Sequence, residues 1–151
     1  MSGSYTALKV IHILAAVLWL GGATMLAVLA IRARRRSGEA LVAIFRDVAL
    51  LAPRIFVPAS LVLVVTGFGL LATGDLPYEL WVILALVGWA ITFLAGLLIL
   101  TPQVKRAESL LEEHSPTSEA ALGQVQRVLT LARLDLVVLT LVVVDMVVKP
   151  G

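Results

Sequence analysis

The chain has no cysteine, so neither a disulfide nor a thiolate metal centre can be built from it. It has little charge, 15% of residues, and little histidine, two residues in all. It also has no zinc-binding histidine motif, no phosphate-binding glycine loop, no dinucleotide fingerprint and no nucleophile elbow, which removes most enzyme classes that announce themselves in sequence. The formal charge of +2 is carried largely by an arginine cluster at residues 32–36, not by a basic face, so nucleic acid is not an expected partner.

What fills the 151 residues instead is apolar: 60% of them are hydrophobic and the mean hydropathy is +1.03. A helix needs roughly 20 largely apolar residues to cross a bilayer, because the hydrocarbon is about 30 Å thick and each residue rises about 1.5 Å. Four such stretches fit, and they use nearly the whole chain. The expected fold class is therefore all-α, one domain over residues 1–151, a four-helix transmembrane bundle with both termini outside and helix extensions on the cytoplasmic side.

The first stretch covers residues 5–31, interrupted by Lys9 and His12, and ends at Arg32, Arg34, Arg35 and Arg36. Its charges follow the apolar run and further spans come after it, unlike a cleaved leader, so it is expected to be retained. Ser37 and Gly38 break the chain. Leu41, Ile44, Phe45, Val48 and Leu51 then recur at helical spacing, the pattern of an amphipathic segment approaching the interface. Pro53 and Pro58 are expected to bend the chain as it enters the bilayer for a second span over residues 55–72. A turn at Thr73, Gly74, Asp75, Leu76 and Pro77 leads to a third span over residues 78–100, opened by Tyr78 and Trp81 as interfacial aromatics. Beyond Pro102, Lys105, Glu108 and Glu112 mark an extension expected to project into water. Ser115 and Pro116 are a cap and first-turn pair for a fourth helix, whose span runs over residues 128–148.

Orientation follows from the basic residues of the short connections, which stay on the cytoplasmic side. Arg32, Arg34, Arg35, Arg36, Arg46 and Arg54 lie in the first connection, Lys105, Arg106 and Arg127 in the third, and none in the second. Four spans then place both termini on the periplasmic or extracellular side of a bacterial inner membrane, with the lipid bilayer as the main partner and a homo-oligomer or membrane complex as a further one.

Polar residues inside such spans are functional candidates by default. His12 is expected to face the bundle, with Trp19 on the same side and Ala15, Ala16 and Gly22 leaving space for a neighbouring helix or a flat ligand. Asp145 stands about as far from Lys149 as His12 does from Lys9, so the two are expected at one depth and in contact. The carboxylate would then fix the imidazole tautomer and leave its second nitrogen free for a proton or a metal; the alternative is an interhelical polar clamp. Met146, at the same depth, makes a histidine and methionine pair of haem ligands conceivable. Asp135 is expected to pair with Arg54 as an ion-pair staple between two helices. Ala85, Gly88, Thr92 and Gly96 form a small-residue stripe suited to close packing.

Leu8, Lys9, His12, Trp19, Gly21 and Gly22, the run over residues 58–69 with Thr66 and Gly67, and the ending Met146, Lys149, Pro150 and Gly151 together resemble domain of unknown function 2269. This is a family of small bacterial four-helix membrane proteins, and the resemblance implies no activity. Over the first helix alone, Lys9, His12, Trp19, Gly21 and Gly22 are also similar to copper-resistance D-type membrane proteins and to four-helix haem-dependent protoporphyrinogen oxidases. In those oxidases a first-helix histidine binds haem, which by resemblance implies His12. Their third helix carries a lysine and residues 78–100 here carry none, so the resemblance does not extend to oxidase activity. The expectation is a haem b or copper site for electron transfer near the outer face, built on His12 with Met146 as a second ligand, Trp19 as a pocket wall and Asp145 behind the histidine. The alternatives are an accessory or assembly subunit and a metal or proton pathway.

Overall fold

The computed structural model describes residues 3–36, 38–74 and 79–150. Helix α1 covers Gly3–Arg36 and α2 covers Gly38–Thr73. Helix α3, Leu80–Leu94, continues without a break through a π-helical stretch, Ala95–Leu100, into α4, Thr101–Glu113, so that 80–113 is one rod. Helix α5 is Glu119–Val148. The described residues contain no strand, and the architecture is four long rods in antiparallel succession. Ser37, Asp75, Leu76, Pro77 and Tyr78 lie outside the described residues.

Three of the rods, α1, α2 and the 80–113 rod, are long and apolar enough to cross a membrane. The fourth, α5, carries Arg133, Asp135 and Asp145 along its apolar run. Its surface is nonetheless apolar on one side, with Leu134, Val137, Leu141, Val144, Val147 and Val148 all exposed.

The connections add two features to this frame. Helix α2 continues through Pro53 and Pro58, which leave two of its turns without a backbone donor. The stretch preceding Pro53 is therefore part of a single rod. The extension beyond Pro102 keeps Lys105, Arg106 and Glu112 exposed. It packs on α2 and α5, and the best-buried apolar cluster in the protein lies here: Leu41, Phe45 and Ala49 of α2 face Val104, Ala107 and Leu111 of α4 and Ala121, Val125, Val128 and Leu129 of α5, with Ala30 and Ala33 of α1 closing the group. Ala107, Ala121 and Val125 are fully buried. Where such packing takes side chains out of water, it is worth about 1.5–3 kcal/mol per large side chain. Between helices in lipid that drive is missing.

Polar contacts fasten the same end. Arg46 and Glu112 form an exposed ion pair at 2.6 Å, Arg34 donates to Gln126, and Gln124 Nε2 donates to Gln103 Oε1 at 2.6 Å and to its carbonyl at 3.1 Å. Gly38 is needed where α2 begins, since a Cβ there would stand 2.6 Å from Pro116 Cβ. The cap of α5 is Ser118, whose hydroxyl accepts from the Ala121 N–H at 3.3 Å, and not Ser115, whose hydroxyl bonds Thr117 instead.

At the far end the rods approach through small residues. A Cβ on Gly22 would stand 2.8 Å from the Phe56 ring and one on Gly69 3.1 Å from Leu8, which draws α1 and α2 together along their length. Gly88 of α3 abuts Val142 of α5. Trp89 crosses from α3 to α2, its indole N–H donating to Ser60 Oγ at 2.8 Å, and stacks on Phe93 with centroids 5.3 Å apart. Trp81 is buried, unlike an open interfacial anchor: its N–H donates to Glu79 at 3.0 Å, and Lys149 Nζ lies 5.1 Å from its ring. Lys149 takes the left-handed conformation that ends α5, its N–H bonding the Asp145 carbonyl at 2.8 Å.

Candidate functional site

His12 sits in the α1–α2 seam, in the first half of α1, and is 7% exposed. Its Nδ1 lies 2.9 Å from the Leu63 carbonyl and 3.0 Å from Thr66 Oγ1. A carbonyl only accepts, so Nδ1 carries the proton, and the neutral ring presents a lone pair at Nε2. The Thr66 hydroxyl spends its own proton on the Val62 carbonyl at 2.6 Å, leaving its oxygen free to accept. Helix α2 can supply both acceptors because Gly67 follows: its Cα faces the ring, and a Cβ there would stand 3.3 Å from His12 Cε1. Nε2 is buried and has no hydrogen-bond partner among the described residues.

The carboxylate expected behind the imidazole is not what orients it. No ion pair joins His12 to Asp145; the place foreseen for Asp145 at the ring is taken by Leu63 and Thr66, which are on the helix that packs most closely against α1. Asp145 is nevertheless level with His12. Gly88 and Trp89 are neighbours in α3 that touch Val142 and Ser60, so those two residues share a depth. Asp145 and Leu63 each lie three residues further toward the same end, about 4.5 Å at about 1.5 Å per residue. Asp145 Oδ2 is buried and unpartnered among the described residues. Met146, next in sequence, is half-buried. Trp19 is buried two turns below His12, where it lines an interior cavity and not the imidazole itself.

The expected staple between Arg54 and Asp135 does not form. Arg54 donates to the Leu50 carbonyl of its own helix at 2.7 Å, and Arg46–Glu112 is the only ion pair among the described residues. Arg54 is exposed on the turn that holds Pro53, where the nearest acceptor is a backbone carbonyl one turn back; Asp135 faces inward and its Oδ1 is buried without a partner. It borders a cavity of about 130 Å³ lined by residues of all four rods, and a second of about 150 Å³ between α3 and α5.

Leu63 and Ser60 are site residues with no distinctive side chain, and Thr66 and Gly67 stand out only as part of the 58–69 run. The carbonyl of Leu63 leaves no mark in a sequence. The small residues of α2, Ser60, Thr66, Gly67 and Gly69, are visible there, and they mark where other helices come close: α3 at Ser60 and α1 at the other three.

Buried polar groups on an all-helical frame of long apolar rods define a helical membrane protein. The chain matches the family described as "Predicted integral membrane protein (DUF2269)" over residues 6–150, and it belongs to that family. No curated protein and no solved structure gives a significant match.

Proposed function

We propose that this is a four-span protein of the cell membrane, with both termini outside, whose His12 binds a redox-active metal ion near the outer face. The observation that carries the reading is the state of the imidazole: Nδ1 is committed to the Leu63 carbonyl while Nε2 is buried and unpartnered. A metal-binding histidine is commonly arranged in this way, its other N–H held by a carbonyl or carboxylate that fixes ring and tautomer.

Donors at the same level support an ion more than a porphyrin. Asp145 offers an unpartnered carboxylate oxygen and Met146 a thioether, and an imidazole with a thioether suits copper. Among the described residues no group of three or more His, Asp or Glu side chains gathers as a cage, so these two residues and His12 would hold the ion with exogenous ligands. Haem asks for more space: cofactor pockets take roughly 300–1,000 Å³, and His12 and Met146 line neither the cavity of about 130 Å³ nor that of about 150 Å³. Haem b bound through His12 would have to lie at the edge of the bundle or between two copies of it. A bound copper would supply one-electron chemistry; the protein orients the imidazole, keeps water from Nε2 and brings the carboxylate of α5 to the same depth.

A second reading has an observation of its own. The two acceptors that hold Nδ1 both belong to α2, which is also what a clamp between helices does in an accessory or assembly subunit. Metal analysis and a reduced-minus-oxidised optical spectrum of the purified protein separate the readings. Copper in stoichiometric amount, absent from His12→Ala, supports the ion; a Soret band lost in the same variant supports haem; a colourless, metal-free protein that keeps its partners supports the clamp.

A further inference from the structure

The interior cavity of about 130 Å³ lies well below His12, and its walls are chemically lopsided. Four aromatic residues, Trp19, Phe45, Phe56 and Phe93, come from three different helices, and the only ionisable residue among its lining is Asp135. No lysine, arginine or histidine borders it. Asp135 Oδ1 is buried without a hydrogen-bond partner, and Arg54, the cation closest in expectation, is spent on the Leu50 carbonyl. A carboxylate in an apolar interior requires a proton or a countercharge, and the faces of aromatic rings attract cations when water is excluded.

The wall opposite is built to leave room. The rod 80–113 changes to π-helical winding at Ala95–Leu100, a local widening frequent at functional sites. Pro102 follows, with no N–H to close an ordinary turn onto Leu98, and the Thr101 N–H and hydroxyl both bond the Gly96 carbonyl. Gly96 borders the cavity, and a Cβ there would meet nothing within 4 Å. Asp135 also borders the second cavity, between α3 and α5, together with Ile91, Ile99 and Leu134, which are exposed on the outside of the bundle. The carboxylate thus stands between the interior space and an approach from the lipid side.

We infer that this cavity is a binding site for a small organic ammonium ion, held by the Asp135 carboxylate and the surrounding aromatic faces. The aromatic walls favour an alkylated ammonium over a hydrated metal ion, whose shell they cannot replace, and the volume limits the guest to a few carbon atoms around the nitrogen. The site shares no residue with the His12 donors, and its test is independent of theirs.

The experiment is calorimetric titration of the purified full chain in detergent with tetramethylammonium chloride, with sodium chloride and tert-butanol as the charged and the neutral controls. Saturable binding of tetramethylammonium alone is expected. Asp135→Asn should weaken it by about tenfold or more, the worth of a charge-assisted contact, and Gly96→Leu should abolish it by filling the open space while melting at the wild-type temperature. Gly21→Leu, at another position where a Cβ meets nothing within 4 Å, should leave binding intact. Absence of saturable binding overturns the inference, as does equal binding of tert-butanol or an affinity in Asp135→Asn within twofold of wild type. If Asp135→Asn does not fold, Gly96→Leu decides: unaltered affinity in that variant places the ammonium elsewhere.

Discussion

Gly67 of α2 lies directly against the imidazole of His12, with room for a hydrogen but not comfortably for a methyl: a Cβ would stand 3.3 Å from Cε1 and 3.8 Å from Nδ1. The Leu63 carbonyl and Thr66 hydroxyl can reach Nδ1 because nothing protrudes from the next position. Gly67→Ala should therefore displace the ring by a few tenths of an ångström, and Gly67→Leu should expel it from the seam. Gly21→Ala, where a Cβ meets nothing within 4 Å, is the control. The histidine Nδ1–H resonance in the purified protein is the measurement: it should shift in Gly67→Ala, vanish into exchange with water in Gly67→Leu, and stay put in Gly21→Ala.

The location of the best-packed core predicts where the protein is fragile. Phe45 is 2% exposed in the cluster that α2, α4 and α5 form, whereas Leu141 is 62% exposed on the outside of α5. Phe45→Ala should cost about 3–5 kcal/mol, the usual range for a buried aromatic. Leu141→Ala should stay within about 0.5 kcal/mol, as surface changes do. Denaturant unfolding in detergent gives both, and equal losses would mean that the extension is not the core.

Arg54 and Asp135 should behave as strangers. Each has another environment, the Leu50 carbonyl for Arg54 and the interior cavity for Asp135, so their losses should add within about 0.5 kcal/mol. A double-mutant cycle with Arg54→Ala and Asp135→Asn tests this; a coupling of several kcal/mol would restore the ion pair.

Arg46 and Glu112 do touch, at 2.6 Å, but their side chains are 62% and 40% exposed. Such pairs contribute about 0–1 kcal/mol and fade with salt. Arg46→Ala should lower the unfolding free energy by no more than that, and the difference from wild type should shrink between low and high ionic strength.

Much of the architecture was legible because it rests on length and periodicity. Four apolar runs separated by charge give four rods, and Leu41, Phe45 and Val48 already trace the side of α2 that meets α4. The sequence also shows that His12 and Asp145 are costly residues needing an explanation. It does not show their partners. Imidazole orientation here depends on a backbone carbonyl, which every residue possesses, and on the hydrogen that stands for a side chain at Gly67. The Arg54–Asp135 pairing failed for a related reason: two opposite charges at similar depth suggest attraction, yet rotation of a helix by 100° per residue decides which side each faces.

The proposed orientation rests on arginine and lysine alone, nine of them in the first and third connections and none in the second. Reporters fused after Gly151 and within the Glu113–Glu119 connection should respond oppositely, active outside for the first and inside for the second. The reverse pattern would turn the His12 level toward the cytoplasm.

The central claim, that the buried Nε2 of His12 is a metal ligand, is tested most directly by electron paramagnetic resonance of the purified protein loaded with one equivalent of copper(II). A directly bound imidazole nitrogen should appear as superhyperfine splitting in wild type, be lost with the bound copper in His12→Ala, and persist in Asp145→Asn with copper affinity lower by about 10 to 100-fold. A copper signal without nitrogen splitting, or one unchanged in His12→Ala, would contradict the account.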